Sequence, residues 1–566
     1  GFASLPQDKQ RAFLTALEQR GIPFARFPIP PRDDAGAVHR LSGAQRQIWR
    51  ATRIDPESPA YIMPGRFLLA GRLNIAALED ALETIMDRHA VLRTCYAEGD
   101  DGEVLAYTVP AAGLAMPMID LADLPPDAIE AEVERRAAEW SCMTFDLAAG
   151  PSMRACLLRM GEDRHMLLLA VHHIAADGGS IPILIAELEE GYRAALQRRA
   201  PDLPPLPVQY ADVAAWRSAW LDAGEAERQL DYWHTRLADA PPPLSLRTAV
   251  ADASSPDDAG GERSIRLPAE LGEVLRALAA ERGQTLFPVM LASFFLLCSR
   301  LCDQPDIVIG IPADNRRGAE AERLIGCFVN TLAIRHRLSS RLTFAALVDN
   351  IAATVASALD HRDIGWDQIE DSLRVGRNGA PLFSMMFDHV PEQRLGAINL
   401  PDLVMTPVEQ PIAAAKFDLA LATADHADGT ITARIAYRAG VHDAAGIDQL
   451  LDRWCHILRQ VAARPSEPLD RIDIRTADDV ETLSAWGRGP EYGEPVPVLV
   501  PVTLARLAGE KPDAPAIIMG DTVMTRGVLD RRANALAHRL RRMGAGPEKR
   551  VGVSIERSFD LIVALL

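Results

Sequence analysis

Residues 166–171, Met-Leu-Leu-Leu-Ala-Val, form an unbroken apolar run that passes directly into His172-His173. A strand with no polar alternation must be covered on both faces, so it belongs at the centre of a sheet with other layers on each side. A small single-sided sheet is thereby excluded. Side chains alternate along a strand, so His172 and His173 point to opposite faces and only one is expected to meet a cleft. Asp177 follows four residues after the second histidine, and Gly178-Gly179 lead into a helix with Ser180 as N-cap and Pro182 in its first turn. The histidines read as satisfied core groups, as catalytic acid–base groups, or as metal ligands. No further His, Cys or Asp cluster has the spacing of a ligand set, so no metal site is predicted.

The remaining sequence supplies the layers. Its 566 residues allow about four domain-sized units. With 48% apolar and 24% charged residues, wholesale disorder is excluded. Residues 5–19 are amphipathic, and four prolines between 21 and 31 predict an extended lead-in, so residues 1–40 are set apart from the body. Helical spacing appears at 74–89, 269–281 and 285–301, strand patterns at 306–311 and 330–338, and a hairpin at 417–424 and 430–437 around His426-Ala-Asp-Gly429. The proline-rich stretch 202–208 divides this body into a first lobe, 41–205, and a second, 206–474, both mixed α/β (α+β). Prolines at 465, 468, 490, 495, 497 and 501 mark a loop-like region, with an interdomain linker assigned to 475–501. The last unit, 502–566, carries a helix pattern at 526–543 and a strand pattern at 550–554, and reads as the start of a further domain.

A net charge of −18 provides no basic field, so nucleic acid is not an expected partner. Seven cysteines without a CxxC pair point to a reducing compartment, and a cytoplasmic location is expected. The longest uncharged stretch, 283–299, contains Gln284 and Pro288 and falls short of the about 20 apolar residues a membrane span needs. No membrane association and no export leader are expected.

The segment His172-His-Ile-Ala-Ala-Asp-Gly178 resembles the His-His-x-x-x-Asp-Gly motif of nonribosomal peptide synthetase condensation domains, members of the chloramphenicol-acetyltransferase-like superfamily. Five further stretches resemble that family's motifs in order. They are Leu41-Ser-Gly-Ala-Gln-Arg-Gln-Ile-Trp49, with its Arg displaced by one, Arg88-His-Ala-Val-Leu-Arg-Thr94, Tyr210-Ala-Asp-Val-Ala-Ala-Trp216, Ile325-Gly-Cys-Phe-Val-Asn-Thr331 and Arg377-Asn-Gly-Ala-Pro-Leu-Phe-Ser-Met-Met-Phe387. Lys511-Pro-Asp-Ala-Pro-Ala516 and Ala533-Asn-Ala-Leu-Ala-His538 are similar to the opening of an adenylation domain, without its glycine-rich nucleotide loop.

The resemblance implies two chloramphenicol-acetyltransferase-like lobes in a V-shaped pseudo-dimer with a tunnel between them. It implies amide formation: the amine of an aminoacyl thioester on a downstream peptidyl carrier domain attacks a donor acyl thioester. No cofactor is held permanently; substrates arrive on 4'-phosphopantetheine or on coenzyme A, and an adenylation domain lies in cis. His173 is the expected acid–base or amine-orienting group and Gly178 the backbone donor to the oxyanion. Asp177 is expected to be structural, paired with Arg88 or Arg93, and His172 and His89 are also expected to be structural. Gly179, Asn330 and Thr331 are candidate tunnel residues, and Trp49 and Trp366 candidate cleft residues. Gly179 stands where internal condensation domains often carry Trp, and His361-Arg-Asp-Ile-Gly-Trp-Asp367 departs from the family's H-Q-D-x-P-F-E. With no carrier signature before Leu41, these departures favour a starter-type domain that N-acylates the first amino acid from fatty acyl-CoA. The alternatives are an elongating domain fed by an upstream carrier and a catalytically silent recruitment module.

Overall fold

A computed structural model describes residues 2, 5–22, 24, 27–32, 38–99, 102–110, 113–248, 259–373, 381–390, 396–410, 412–489 and 499–566. The chain divides into two compact units, Gly1–Ala477 and Asp478–Leu566. The first begins with α1 (Gln7–Gln19), β1 (His39–Arg40), α2 (Gly43–Ile54), β2 (Ile62–Gly71), α3 (Ile75–Arg88), β3 (Thr94–Glu98), β4 (Val104–Thr108) and β5 (Met118–Asp120). It continues through α4 (Pro126–Cys142), β6 (Met153–Arg159), β7 (Arg164–His172) and α5 (Ser180–Leu196). Strands β1, β4 and β3 make a small separate sheet.

The apolar run is β7, flanked by antiparallel β2 and β6. Its alternation feeds two cores: Leu167, Leu169 and Val171 pack with α3 and α5, while Met166 and Leu168 pack with Val133 and Ala137 of α4. That two-sided burial is why no polar residue interrupts it. The predicted helix 74–89 is α3, capped where Asn74 Oδ1 accepts the Ala77 N–H at 3.1 Å.

The second lobe contains α6 (Tyr210–Trp220), α7 (Ala226–Leu237), β8 (Gly260–Leu267), α8 (Ala269–Glu281), α9 (Leu286–Cys302), β9 (Asp306–Ala313), β10 (Asn330–Arg337), α10 (Phe344–Leu359) and α11 (Trp366–Leu373). It continues with β11 (Met385–Val390), β12 (Ile398–Leu400), β13 (Leu403–Val408), β14 (Leu419–Asp425), β15 (Ile431–Arg438) and α12 (Ala444–Ala463). Its sheet has the order β10-β9-β11-β14-β15-β8, with the predicted hairpin as β14–β15. Helix α9 is apolar nearly all round because it is buried in this lobe's core, where Cys298 and Trp366 are also packed. No single described helix is long and apolar enough to cross a membrane.

Two expected boundaries need correction. The division at 205/206 is not clean: β12 and β13 join the first lobe's sheet, giving the order β12-β13-β2-β7-β6-β5. Unpaired, β2 would be an exposed edge, and β13 covers it. Tyr210, Trp216, Ile325 and Phe328 also lie in the first lobe's core. The lead-in is not merely extended, since Phe24 is buried and stacks on Trp216 at 4.5 Å between ring centroids, and Leu17 and Ile29 join the same core. Aromatic burial overrides the proline signal there.

The assigned linker 475–501 contains a helix, α13 (Ala477–Gly487); residues 490–498 lie outside the described residues. The second unit has α14 (Val500–Glu510), a hairpin of β16 (Pro515–Met519) and β17 (Thr522–Thr525), α15 (Arg526–Arg542) and α16 (Phe559–Leu565). The strand expected at 550–554 is irregular, with Val551 and Val553 exposed and no strand beside it among the described residues.

If the crossover strand holds the lobes together, Met405→Ala in the core face of β13, where Met405 is 1% exposed, should cost about 2–5 kcal/mol in urea unfolding of this unit. An unchanged unfolding midpoint would contradict it.

Candidate active site

The histidines sit where β7 ends. His172 is buried, its Nδ1 accepts the Ile174 N–H at 3.2 Å, and its ring meets the edge of Phe145 at 5.7 Å. Burial pushes its pKa down to about 4, with Lys416 and Arg154 adding like charge. His173 follows in the turn directly after β7 and is only half-buried. Its backbone N–H donates to the Tyr61 carbonyl at 2.8 Å, while its Nδ1 has no hydrogen-bond partner among the described residues. Burial and then Lys416 hold its pKa well below the usual histidine value, so the imidazole is neutral at cell pH.

Asp177 is the node beneath this loop. One carboxylate oxygen accepts from the Ser180 N–H at 3.1 Å and Oγ at 2.9 Å; the other accepts from the N–H groups of Phe328 at 2.9 Å and Val329 at 3.1 Å. Arg316 completes the shell with an ion pair at 2.5 Å, both side chains being buried. This corrects two expectations. The arginine partner is neither Arg88 nor Arg93, and Ser180 is the first helical residue of α5, with Gly179 at the N-cap and the Asp177 carboxylate accepting the Ser180 N–H. Arg88 and His89 instead bind Glu187 of α5, each at 2.8 Å. Burial alone would raise the Glu187 pKa, but those two partners hold it low. Arg93 donates to the carbonyls of Met86, Asp87 and Val109, closing the end of α3. Every Asp177 hydrogen bond described goes to these groups and none to His173, so no Asp–His dyad forms.

The sequence motifs converge on this loop. Ser42 caps α2 in a capping box with Gln45, and Gln45 Nε2 donates to the Ile174 carbonyl at 3.2 Å. Tyr210 bridges Ser42 Oγ at 2.8 Å and the Cys327 carbonyl at 2.6 Å. The Gly326 N–H donates to Ser180 Oγ at 3.1 Å. The stretch 377–380 lies outside the described residues.

Gly178 is exposed, its Cβ position is open, and its N–H donates to no described residue. Gly179 has a different cause from the one expected: a Cβ there would overlap the Arg316 guanidinium. The absent side chain makes room for the Asp177–Arg316 pair. Asn330 is placed away from the histidines, its Nδ2 donating to the carbonyls of Arg362 at 2.8 Å and Ile364 at 2.6 Å, beside a cavity of about 80 Å³. Thr331 donates its N–H to Asn330 Oδ1 and pairs with Pro312 across β9–β10. Trp49 is half-buried against Tyr96. Among the described residues no three His, Cys, Asp or Glu side chains converge as metal ligands.

A cavity of about 470 Å³ lies between the lobes, with Ala60, Ile62 and Pro64 on one side and Pro312, Met386 and Phe417 on the other. Its lining includes Ala60 and Ile62, the chain neighbours of Tyr61, whose carbonyl accepts the His173 N–H. Lys416 also lines it, with its ammonium 4.9 Å above the Tyr61 ring, and the low polarity around it pushes its pKa down to about 8.

The sequence matches the condensation domain family over residues 37–484. The chain belongs to the condensation domain family. Residues 504–566 match the AMP-binding enzyme family, so this condensation domain is followed in the same chain by the start of an adenylating unit. The chain is 34% identical to a linear gramicidin synthase polypeptide of Brevibacillus parabrevis, over 99% of its own length and 11% of that protein. It is 32% identical to an isonitrile lipopeptide synthase of Mycobacterium tuberculosis, over 93% of its length and 21% of that protein. It thus spans about a tenth to a fifth of these relatives. Among solved structures, the X-domain in complex with OxyB from teicoplanin biosynthesis superposes with a TM-score of 0.70 at 26% identity, covering 81% of this chain and 99% of that one. The mixed-sheet architecture is therefore that of condensation-type domains.

Residues of this condensation domain that motif reading missed are Arg316, Tyr61 and Lys416. Arg316 lies 139 residues from Asp177 and carries no local pattern. Arg316→Met leaves the Asp177 charge buried and uncompensated, so it should destabilise the unit by about 3–5 kcal/mol; a stability equal to wild type in denaturant titration would refute this. His172 also gives a pH signature. The unfolded ring takes its proton near 6.5, whereas the folded ring resists until about 4. Its contribution is therefore fully present above pH 6.5 and lost as pH falls toward 4. Substituting Gln for His172 should flatten the stability profile in that window, and an unaltered slope would count against it.

Proposed function

We propose that this condensation domain forms amide bonds, with His173 as the group that receives or orients the acceptor amine. The observation that carries this is a neutral, partly exposed imidazole at the end of β7, its protonation opposed by Lys416, which lines the cavity that the lobes share. The acceptor is an aminoacyl thioester on the phosphopantetheine of a downstream peptidyl carrier domain. Its amine nitrogen attacks the carbonyl carbon of the donor acyl thioester. The nitrogen's proton passes to the imidazole or is steered by it, the carbonyl oxygen becomes an oxyanion, and the C–S bond then breaks, the sulfur leaving as a thiol once protonated. The unoccupied Gly178 N–H is the donor to that oxyanion. A thioester is already activated, so alignment supplies much of the acceleration.

For the donor we favour a starter-type reaction, in which a fatty acyl group from coenzyme A, its far end specified further below, is placed on the first amino acid. The apolar cavity supports it, and so does the likeness to a protein named for lipopeptide synthesis. The Gly179 departure no longer contributes, since Arg316 accounts for it. A recruitment role is a second reading, favoured by the likeness to an X-domain seen in complex with OxyB.

Two measurements check this. His173→Ala should stay folded and lose at least about 10²-fold in amide formation, whereas retained turnover would exclude His173 from the chemistry. Wild-type protein offered acyl-CoA and a loaded downstream carrier should yield N-acyl aminoacyl carrier. Product only from carrier-bound donors would replace the starter reading with elongation, and no product from either would leave recruitment.

A further inference from the structure

The floor of the large cavity has a feature that amide formation does not require. Met386 and Asp388 stand on the same face of β11, opposite Ala420 and Ala422 on β14, and Ala420 in turn pairs with Ala436 on β15. All five line the cavity. Three alanines on two neighbouring strands clear the space beside Met386, and the charged side chain on this floor is the Asp388 carboxylate. Asp388 has no ion-pair partner among the described residues. The ring of the adjacent His389 points to the other face, bound to Thr423 Oγ1 at 2.9 Å and Asp425 at 3.3 Å. The surroundings of Asp388 are poor in solvent: burial raises its pKa, with the His389 backbone and ring as the countering influences.

The cavity's other charge, Lys416, lies over Tyr61 at the end next to His173 and makes no ion pair among the described residues either. Asp388 stands opposite Ala422 of β14, six residues farther along the chain than Lys416, so the two charges lie apart in the cavity. The space therefore has a polar end beside the reacting centre, apolar walls such as Pro64 and Pro312, and a lone carboxylate away from that centre. A half-buried carboxylate in apolar walls is costly unless a partner arrives, and a charge-assisted hydrogen bond is the strong way to satisfy it.

We propose that this cavity selects a donor acyl group with an aliphatic stem and an ammonium at its far end, read by Asp388. The inference rests on the amide-forming reading, because that reading places the donor chain in the cavity. Ala420, Ala422 and Ala436 admit the stem, and Asp388 pairs with the tip. A methyl-ended chain fills the same space and leaves the carboxylate without an ion-pair partner.

Equilibrium binding tests this without depending on turnover. Pantetheine derivatives in which a stable amide replaces the thioester, carrying ω-ammonium chains or methyl-ended chains of equal length, are titrated by calorimetry. Wild type should bind the ammonium-ended chain roughly tenfold or more tightly. Asp388→Asn should bring the two within about twofold, and Asp388→Leu should reverse the order. Ala422→Met, which fills the space before Asp388 while keeping the carboxylate, should weaken both chains, and circular dichroism confirms each variant's fold. Equal binding of the two chains by wild type, or an unchanged preference in Asp388→Asn, overturns the proposal. Selective binding with no amide product would remove the amide-forming reading and leave the selectivity standing; turnover with no preference would do the reverse.

Discussion

The Asp177 carboxylate is the point on which the site depends. Its oxygens receive the start of α5, two consecutive N–H groups of the second lobe and the Arg316 guanidinium. A buried carboxylate with that many donors is well satisfied, and no acceptor capacity is directed toward His173. Because the donors come from both lobes, one charge ties the histidine loop of the first lobe to the connection between β9 and β10 of the second. The crossover of β13 onto β2 and the contact of α2 with α11, where Arg46 meets Asp367 at 3.2 Å, reinforce the same junction.

That organisation separates holding from reacting. Asp177, Arg316, Gln45 and Glu187 hold, each bound to several partners, with only the Arg316 Nε among these groups left without a hydrogen bond among the described residues. The Gly178 N–H is left without a described acceptor at an exposed position, and the His173 ring takes no hydrogen bond from Asp177. A base that must accept a proton or orient an amine cannot already be committed, and the buried, cation-flanked setting keeps the imidazole in its neutral form. The neighbouring cavity supplies what such a base lacks, a place to hold an acyl chain in register with it.

Much of this was legible in the sequence, for physical reasons. The uninterrupted run at 166–171 could be satisfied only by a two-sided strand, and alternation then assigned the two histidines to opposite faces. Helix and hairpin patterns were legible because they repeat locally. Arg316 was not, since no periodicity links it to Asp177 over 139 residues, and nearer arginines in a familiar motif were the natural substitutes. Nor was the crossover: alternating burial in β13 identifies a strand but not the sheet it joins. The apolar pattern at 550–554 forms no strand because such a pattern needs a neighbour to pair with, and none lies beside it among the described residues. Gly179 shows a residue whose meaning changed, from an opening in the tunnel to clearance for a guanidinium.

The claim that His173 works as an uncommitted neutral base, rather than as half of a carboxylate–histidine pair, is open to one direct measurement. The imidazole nitrogens of His173 can be followed by nuclear magnetic resonance in 15N-histidine-labelled protein across a pH titration, with His173→Ala providing the assignment. The account predicts a midpoint well below 6.5 that stays there in Asp177→Asn. A midpoint at or above 6.5 that falls when Asp177 is neutralised would show the two residues to be coupled and would contradict it.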